Sequence, residues 1–262
     1  MYMVPPFLAY YAADTRDESL LKETVRQCSL YRQILQPTIN DPWKGVWQHI
    51  VGPQNQDLGY WSTGNAWAAA GMSRVLATVA KSTWLQDLQW RQSAIDSLTQ
   101  YIKEIVDGAM QSPKDHGLLR NYLNDRNAQG HGFGEISGSA LLAATVYRMA
   151  VLQPSIFQGS YISWADDLRK VISGRDSRNA PHVTSWGGVV PAVNPYAWLD
   201  TQPYLSGSPE GNTFTVLMFT AWRDCVKASK CDFPRGLSQS RVKVDAKLIP
   251  RCYLRSRRRR TY

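Results

Sequence analysis

The densest run of chemically useful side chains in this 262-residue sequence is Asp57-Leu58-Gly59-Tyr60-Trp61-Ser62-Thr63-Gly64-Asn65-Ala66-Trp67. It brings a carboxylate, three aromatics, an amide and two glycines to the start of a helix. Trp and Tyr faces stack on the C–H faces of sugar rings, and an Asn amide fixes hydroxyls through a paired donor and acceptor. A structural account competes with this one. Asn65 and Ser62 are helix-capping residue types, and Trp67 fits a core position. For Trp67 alone, core packing is the simpler reading. For the cluster as a whole, a ligand site is.

A second constellation is Asn124, Asp125, His131 and Glu135, beside a Gly-rich turn and a helix expected to be capped by Ser137. Carboxylates so placed serve as general acid or base, and a Glu near a helix start equally complements the helix dipole. A third is Ser208-Pro209-Glu210-Gly211-Asn212, a helix-start pattern in which Glu210 reads as structural before functional. Of the four histidines, His49, His116, His131 and His182, only His49 follows a tryptophan, Trp47, in a loop that recurs along the chain. No paired-His or Cys-x-x-Cys spacing suggests zinc. No phosphate-binding glycine loop is present, so neither a metal nor a cofactor is expected. Cys225 and Cys231 flank a short loop, and spacing alone leaves a disulfide and two free thiols both open.

The elements that must position these residues are helical. Apolar spacing predicts helices over 4–14, 17–36, 63–81, 86–109, 137–152, 160–173 and 212–229, with Thr15 or Asp17 capping the second. Met3, Phe7, Leu8 and Tyr11 form the expected buried stripe of the first. Clear alternating strands are missing, and only 182–184 and 189–193 are read as short extended pieces. Gly45-Val46-Trp47, Gly117-Leu118-Leu119 and Gly188-Val189-Val190 punctuate the chain at intervals of 72 and 71 residues. A period of that length, each holding one helical hairpin, points to a toroid or solenoid of hairpins. Its long connections return to one end, where sites are built.

Composition narrows the partners. The net charge of +9 lies wholly in the segment from Arg235 onward, which holds ten Lys/Arg and one Asp. The preceding 234 residues balance 20 basic against 20 acidic groups, so a nucleic-acid surface on the folded part is disfavoured. Two units are therefore expected, a folded domain over 1–234 and a basic, solvated tail over 235–262. No stretch approaches the roughly 20 apolar residues of a membrane span. The start shows no signal-peptide pattern.

Taken in order, several segments resemble glycoside hydrolase families 88 and 105, the unsaturated glucuronyl and rhamnogalacturonyl hydrolases. MVPPFLAYYAADTRDESLL, GVWQH, YWSTGNAW, GLLRNYLND and EISGSALLAATVYRMA match motifs of that family, most closely those of its fungal secreted branch, over about residues 1 to 230. The resemblance implies an all-α fold, the (α/α)6 toroid of six hairpins. It implies hydration of the 4,5 double bond of an unsaturated uronic acid on a pectin-derived or related oligosaccharide, outside the cell. His49, Trp61, Thr63, Gly64, Asn65 and Trp67 fall on positions that line the family's substrate pocket. Thr63 stands where the family has an arginine. The family's acid/base aspartate aligns just ahead of Met1, so no catalytic residue is assigned here. The expectation is an N-terminally shortened chain that is inactive as given and has an open apolar face. The competing expectation is a carbohydrate-binding relative without catalysis. Nucleic-acid binding through the tail is the weakest of the three.

Overall fold

A computed structural model describes residues 1–37, 43–125, 131–197 and 199–232. The expected tail over 235–262 lies outside the described residues. Those up to Cys231 form one unit. It contains seven α-helices among the described residues: α1 (Val4–Thr15), α2 (Glu18–Leu35), α3 (Ser62–Lys81), α4 (Trp90–Gln111), α5 (Ile136–Leu152), α6 (Ser160–Ser173) and α7 (Pro209–Lys227). The all-α expectation is met. A short hairpin, β1 (Lys114–Asp115) with β2 (Leu118–Leu119), was not anticipated. It forms where His116 and Gly117 adopt positive φ values of 48° and 93°, just ahead of the buried Leu118 and Leu119.

Local chemistry explains most of the boundaries. Pro5 and Pro6 sit in the first turn of α1, where their missing N–H groups have no helical partner to lose. Asp17 rather than Thr15 caps α2, accepting from Leu20 N–H at 2.9 Å. Thr15 Oγ1 donates back to Tyr11 C=O instead. The cap of α5 is Glu135, not Ser137. Its buried carboxylate accepts from Gly138 N–H at 2.7 Å, because at that depth no water can satisfy the first-turn donors. Helix α4 starts four residues later than its periodicity suggests, after a 3-10 turn over Thr83–Leu85. Helix α7 starts three earlier, since Pro209 occupies its first position and Ser208 accepts from Gly211 N–H at 2.9 Å.

The helices form two layers. α1, α3, α5 and α7 pack side by side in chain order, and α2, α4 and α6 each back onto the preceding odd helix. Burial separates the layers. In α5, 14 of 17 residues are buried, whereas α2 buries only three of 18. The inner helices α3 and α5 therefore carry Ala, Gly and Ser on nearly every side, which lets their backbones approach. The first helix departs from expectation. Met3, Phe7 and Tyr11 are exposed, and its buried face is Pro5, Pro6, Ala9 and Ala12. Its small residues face the core, and the bulky stripe is uncovered by any described residue.

The sequence period reappears as a physical register. Consecutive hairpins lie beside one another so that residues 72 apart touch. Arg32 pairs with Glu104 at 2.7 Å, Trp90 Nε1 donates to Glu18 at 3.0 Å, and Tyr101 donates to Ser29 at 3.3 Å. On the inner layer Thr63 donates to Glu135 at 3.1 Å, again 72 residues away. The long outer-to-inner connections share one end of the array and are stitched together there. Ser62 N–H donates to Asn121 C=O, Leu123 N–H to Tyr60 C=O and Ile136 N–H to Pro191 C=O, at 2.8, 2.9 and 3.0 Å. Val183 with Val189 and Ala192 with Tyr204 make isolated bridges in the two segments expected to extend.

Candidate functional site

The stitched rim holds a cavity of about 240 Å³. His49, Trp61, Gly64, Asn65 and Trp67 all line it, together with Trp47 and Gln48. Three short-range devices build it. A bridged ribbon, with Ile50 N–H donating to Asp57 C=O at 2.7 Å and Asp57 N–H to Ile50 C=O at 2.9 Å, brings His49 opposite the YWSTGNAW segment. The first turn of α3 then presents Trp61 and Trp67. Gly64 makes room, since a Cβ there would lie 2.9 Å from the Trp61 ring.

Asn65 fixes the floor. Its Oδ1 accepts from Trp47 N–H at 2.7 Å, and its Nδ2 donates to Trp47 C=O at 2.9 Å and Trp61 C=O at 3.0 Å. The amide is thus spent on backbone, and its effect on a ligand is to hold the tryptophans in place. The ring of Trp61 lies 4.7 Å from that of His49 and 5.1 Å, edge-on, from that of Trp67. Trp61 Nε1 donates to Asn121 at 3.0 Å. The result is an aromatic wall with a polar end.

The polar end is a three-residue network. His49 Nδ1 lies 2.9 Å from Asp57 Oδ2, Tyr122 donates to the same oxygen, and Gly59 N–H donates to Asp57 Oδ1 at 2.9 Å. Partial burial pushes the Asp57 carboxyl up. The bonds from Tyr122, His49 and Gly59 outweigh it and hold the group below the usual carboxylate range. Asp57 is ionised at neutral pH. Burial first, and then the bond to Asp57, raise the Tyr122 phenol, so it acts as a donor. The pairing fixes His49 as a carboxylate-oriented imidazole, an arrangement used to position proton carriers.

Thr63 does not reach this cavity. It is 1% exposed and lies behind the wall, bonded to Glu135. Glu135 is fully buried, and one of its oxygens has no hydrogen-bond partner among the described residues. Burial raises its carboxyl despite the bonds it accepts. The second constellation is divided. His131 packs at a tilt against Tyr122 with ring centroids 4.7 Å apart, Glu135 caps α5, and Asn124 is exposed. Glu210 stands in the first turn of α7. His116 bonds Ser177 at 2.7 Å, and buried His182 bonds Val190 C=O at 2.8 Å. Both lie away from the cavity. Tyr122 was missed, although it lies 73 residues from His49, one hairpin period on.

Cys225 and Cys231 are joined in a disulfide, one of the two alternatives left open by spacing. Among the described residues no group of three or more His, Cys, Asp or Glu could hold a metal ion. No described helix is long and apolar enough to cross a membrane.

The profile of Glycosyl Hydrolase Family 88 matches residues 1–173. No curated protein matches the chain. Solved structures that share its fold include the following three. A glycosyl hydrolase family 88 protein from Bacteroides vulgatus aligns with TM-score 0.63 at 15% identity, over 87% of this chain and 61% of its own. A possible family 105 member from Klebsiella pneumoniae aligns with TM-score 0.63 at 18% identity, over 84% and 53%. The unsaturated glucuronyl hydrolase from Bacillus sp. GL1, responsible for degradation of glycosaminoglycan, aligns with TM-score 0.56 at 14% identity, over 84% and 57%. The fold is that of the six-hairpin glycosidases, and the chain spans less than two thirds of the length of each of these proteins.

Proposed function

The chain belongs to glycosyl hydrolase family 88, and from that premise we propose that its rim cavity binds a 4,5-unsaturated uronic-acid-terminated oligosaccharide, from pectin or a related polysaccharide, outside the cell. The reaction proposed for the protein is hydration of the double bond, after which the hemiketal opens and the sugar leaves. One observation carries the reading. His49 from one loop and Trp61, Gly64, Asn65 and Trp67 from the start of α3 line one cavity, with a stacking face on one side and a carboxylate-oriented imidazole on the other. Stacking supplies affinity that does not depend on charge. The His49–Asp57–Tyr122 network supplies a fixed pattern of hydrogen-bonding groups. Thr63, buried against Glu135, offers no guanidinium fork for a carboxylate.

That last point favours a second reading, a carbohydrate-binding relative that holds sugar without turning it over. One experiment separates the two. The chain is mixed with an unsaturated uronide disaccharide while the ultraviolet absorbance of the double bond is followed, and binding is measured by calorimetry. Loss of absorbance supports the hydrolase. Binding without loss, weakened by Trp61→Ala, supports the binding protein for the chain as given, and the hydrolase reading then requires that a chain extended ahead of Met1 remove the absorbance. A folded sample that does neither overturns both.

A further inference from the structure

A cavity of about 600 Å³ opens on the inner layer of helices. It shares no lining residue with the cavity around Trp61. Its walls come from residues 70–81 of α3, residues 141–152 of α5, and Leu217 and Asp224 of α7, with Tyr2 and Tyr10 closing it beside α1. Helices α3, α5 and α7 all start at the rim, so the cavity lies toward their far ends. Its size is that of a small-molecule site, roughly 300–1,000 Å³.

The walls are aliphatic, and their hydroxyl protons are already used. Ser73 donates to Ala70 C=O, Thr78 to Arg74 C=O and Thr145 to Leu141 C=O, at 2.8, 3.0 and 2.8 Å. A sugar or a phosphate there would leave most of its polar surface against Ala, Leu and Val side chains. The charges are unbalanced. Three cations, Arg74, Lys81 and Arg148, line the cavity with one carboxylate, Asp224. Asp224 is taken by Arg148 at 2.8 Å and Arg223 at 3.0 Å. Arg74 and Lys81 have no ion pair with any described residue.

Arg74 is the better placed of the two. One of its terminal nitrogens donates to Tyr2 C=O, and the guanidinium lies 4.3 Å from the centre of the Tyr2 ring. These contacts hold the side chain in place and leave donors of the fork free. Its Nε is buried and has no hydrogen-bond partner among the described residues. A half-buried guanidinium with free donors and no counter-charge is a receptor for a carboxylate. Lys81, one and a half to two turns further on, stands about 10 Å along the same helix and extends the positive potential to the exposed end.

We infer that this cavity binds an amphipathic monocarboxylate, with the carboxylate on Arg74 and an alkyl chain along the aliphatic walls of α3, α5 and α7. Charge complementarity selects the head group, and apolar burial supplies the affinity of the chain. The inference does not depend on sugar binding at the rim.

Calorimetric titration of the full chain with octanoate, 1-octanol and octylammonium tests it. Octanoate is expected to bind about tenfold tighter than octanol, and octylammonium weaker than either. Arg74→Met keeps an apolar stem of similar length. It brings octanoate down to the affinity of octanol and leaves octanol within about twofold of wild type. Ala77→Phe fills the cavity and removes binding of both. Should Arg74→Met fail to fold, Lys81→Glu at the exposed helix end lowers octanoate affinity about threefold without changing octanol. Equal affinity for octanoate and octanol overturns the inference. So does octanoate binding that survives both Arg74→Met and Ala77→Phe, or the absence of binding by any probe. Sedimentation velocity covers the remaining occupant. A dimer that Ala77→Phe dissociates and octanoate does not would assign the cavity to a second copy of the chain and overturn the carboxylate reading.

Discussion

Replacing Gly138 by alanine probes the junction on which the site stands. Gly138 lies in the first turn of α5, against the first turn of α3. A Cβ there would collide with the Ser62 hydroxyl and would lie 2.8 Å from Ser62 Cβ and 2.9 Å from its carbonyl carbon. The hydroxyl can rotate away, but the carbonyl carbon moves only if the helices part. Both residues are buried in a close-packed interior. Overpacking of this kind costs about 1–3 kcal/mol, and contact with backbone belongs to the upper part of that range. Alanine recovers about 1 kcal/mol of helix propensity. The net expected loss is about 1–2 kcal/mol, and each kcal/mol lowers Tm by roughly 2–4 °C in a chain of this size. The Thr63–Glu135 bond and the Trp61–Asn121 bond straddle the same junction, so sugar binding weakens with stability. Adding Ser62→Ala removes the hydroxyl collision and leaves the carbonyl carbon where it was, so less than half of the loss returns. Thermal and urea unfolding followed by circular dichroism measure these differences. A Gly138→Ala chain that melts at or above wild type would falsify the close approach, and full restoration by Ser62→Ala would show that the hydroxyl alone carries it.

Three further outcomes follow from the charged and covalent groups. Burial raises the Glu135 carboxyl, so the folded state holds its proton more tightly than the unfolded one. Stability then falls as pH rises from the unfolded value of about 4.3 through the folded value. Glu135→Gln keeps an acceptor for Gly138 N–H and flattens that slope. Parallel Tm–pH curves for the two proteins would contradict the argument. The Asp57 carboxyl is held low, so its contribution is complete above about pH 4 and is lost as pH falls through the folded value. Asp57→Asn costs under about 1 kcal/mol at neutral pH, the side chain being partly exposed. The variant's unfolding curve should converge on wild type in acid, and a gap that persists there would refute the assignment. Cys225→Ser opens a disulfide closing a loop of separation 6 and is expected to cost about 2 kcal/mol by loop entropy. Denaturant midpoints of the variant and of the reduced wild type, which should coincide, check this.

Helix positions and the hairpin period were legible because both are carried by local apolar spacing. The period was the more useful of the two. Adding 72 to a residue of one hairpin names its neighbour in the next, as Arg32–Glu104 and Thr63–Glu135 show. Applied to His49, the same step reaches the neighbourhood of Tyr122, the member of the network that inspection of motifs overlooked. The cavity-lining residues around Trp61 were legible because stacking needs particular residue types. What they do was less so. An asparagine suited to sugar hydroxyls is also suited to two carbonyls and an N–H, and only the ribbon that brings Trp47 within 2.7 Å decides between them. The α1 stripe misled for a related reason. Apolar spacing reports that a helix has a face, while the small residues Ala9 and Ala12 determine which face lies against its neighbour. Thr63 shows where this leads. Read alone, a threonine in place of an arginine is the loss of a clamp. Read through the register, residue 63 touches residue 135, and a guanidinium there would have to share the space behind the wall with a fully buried carboxyl. Positions 63 and 135 are thus one packed unit across two hairpins. The pair supports the wall from behind, and the polar chemistry at the rim is left to the Asp57-oriented histidine.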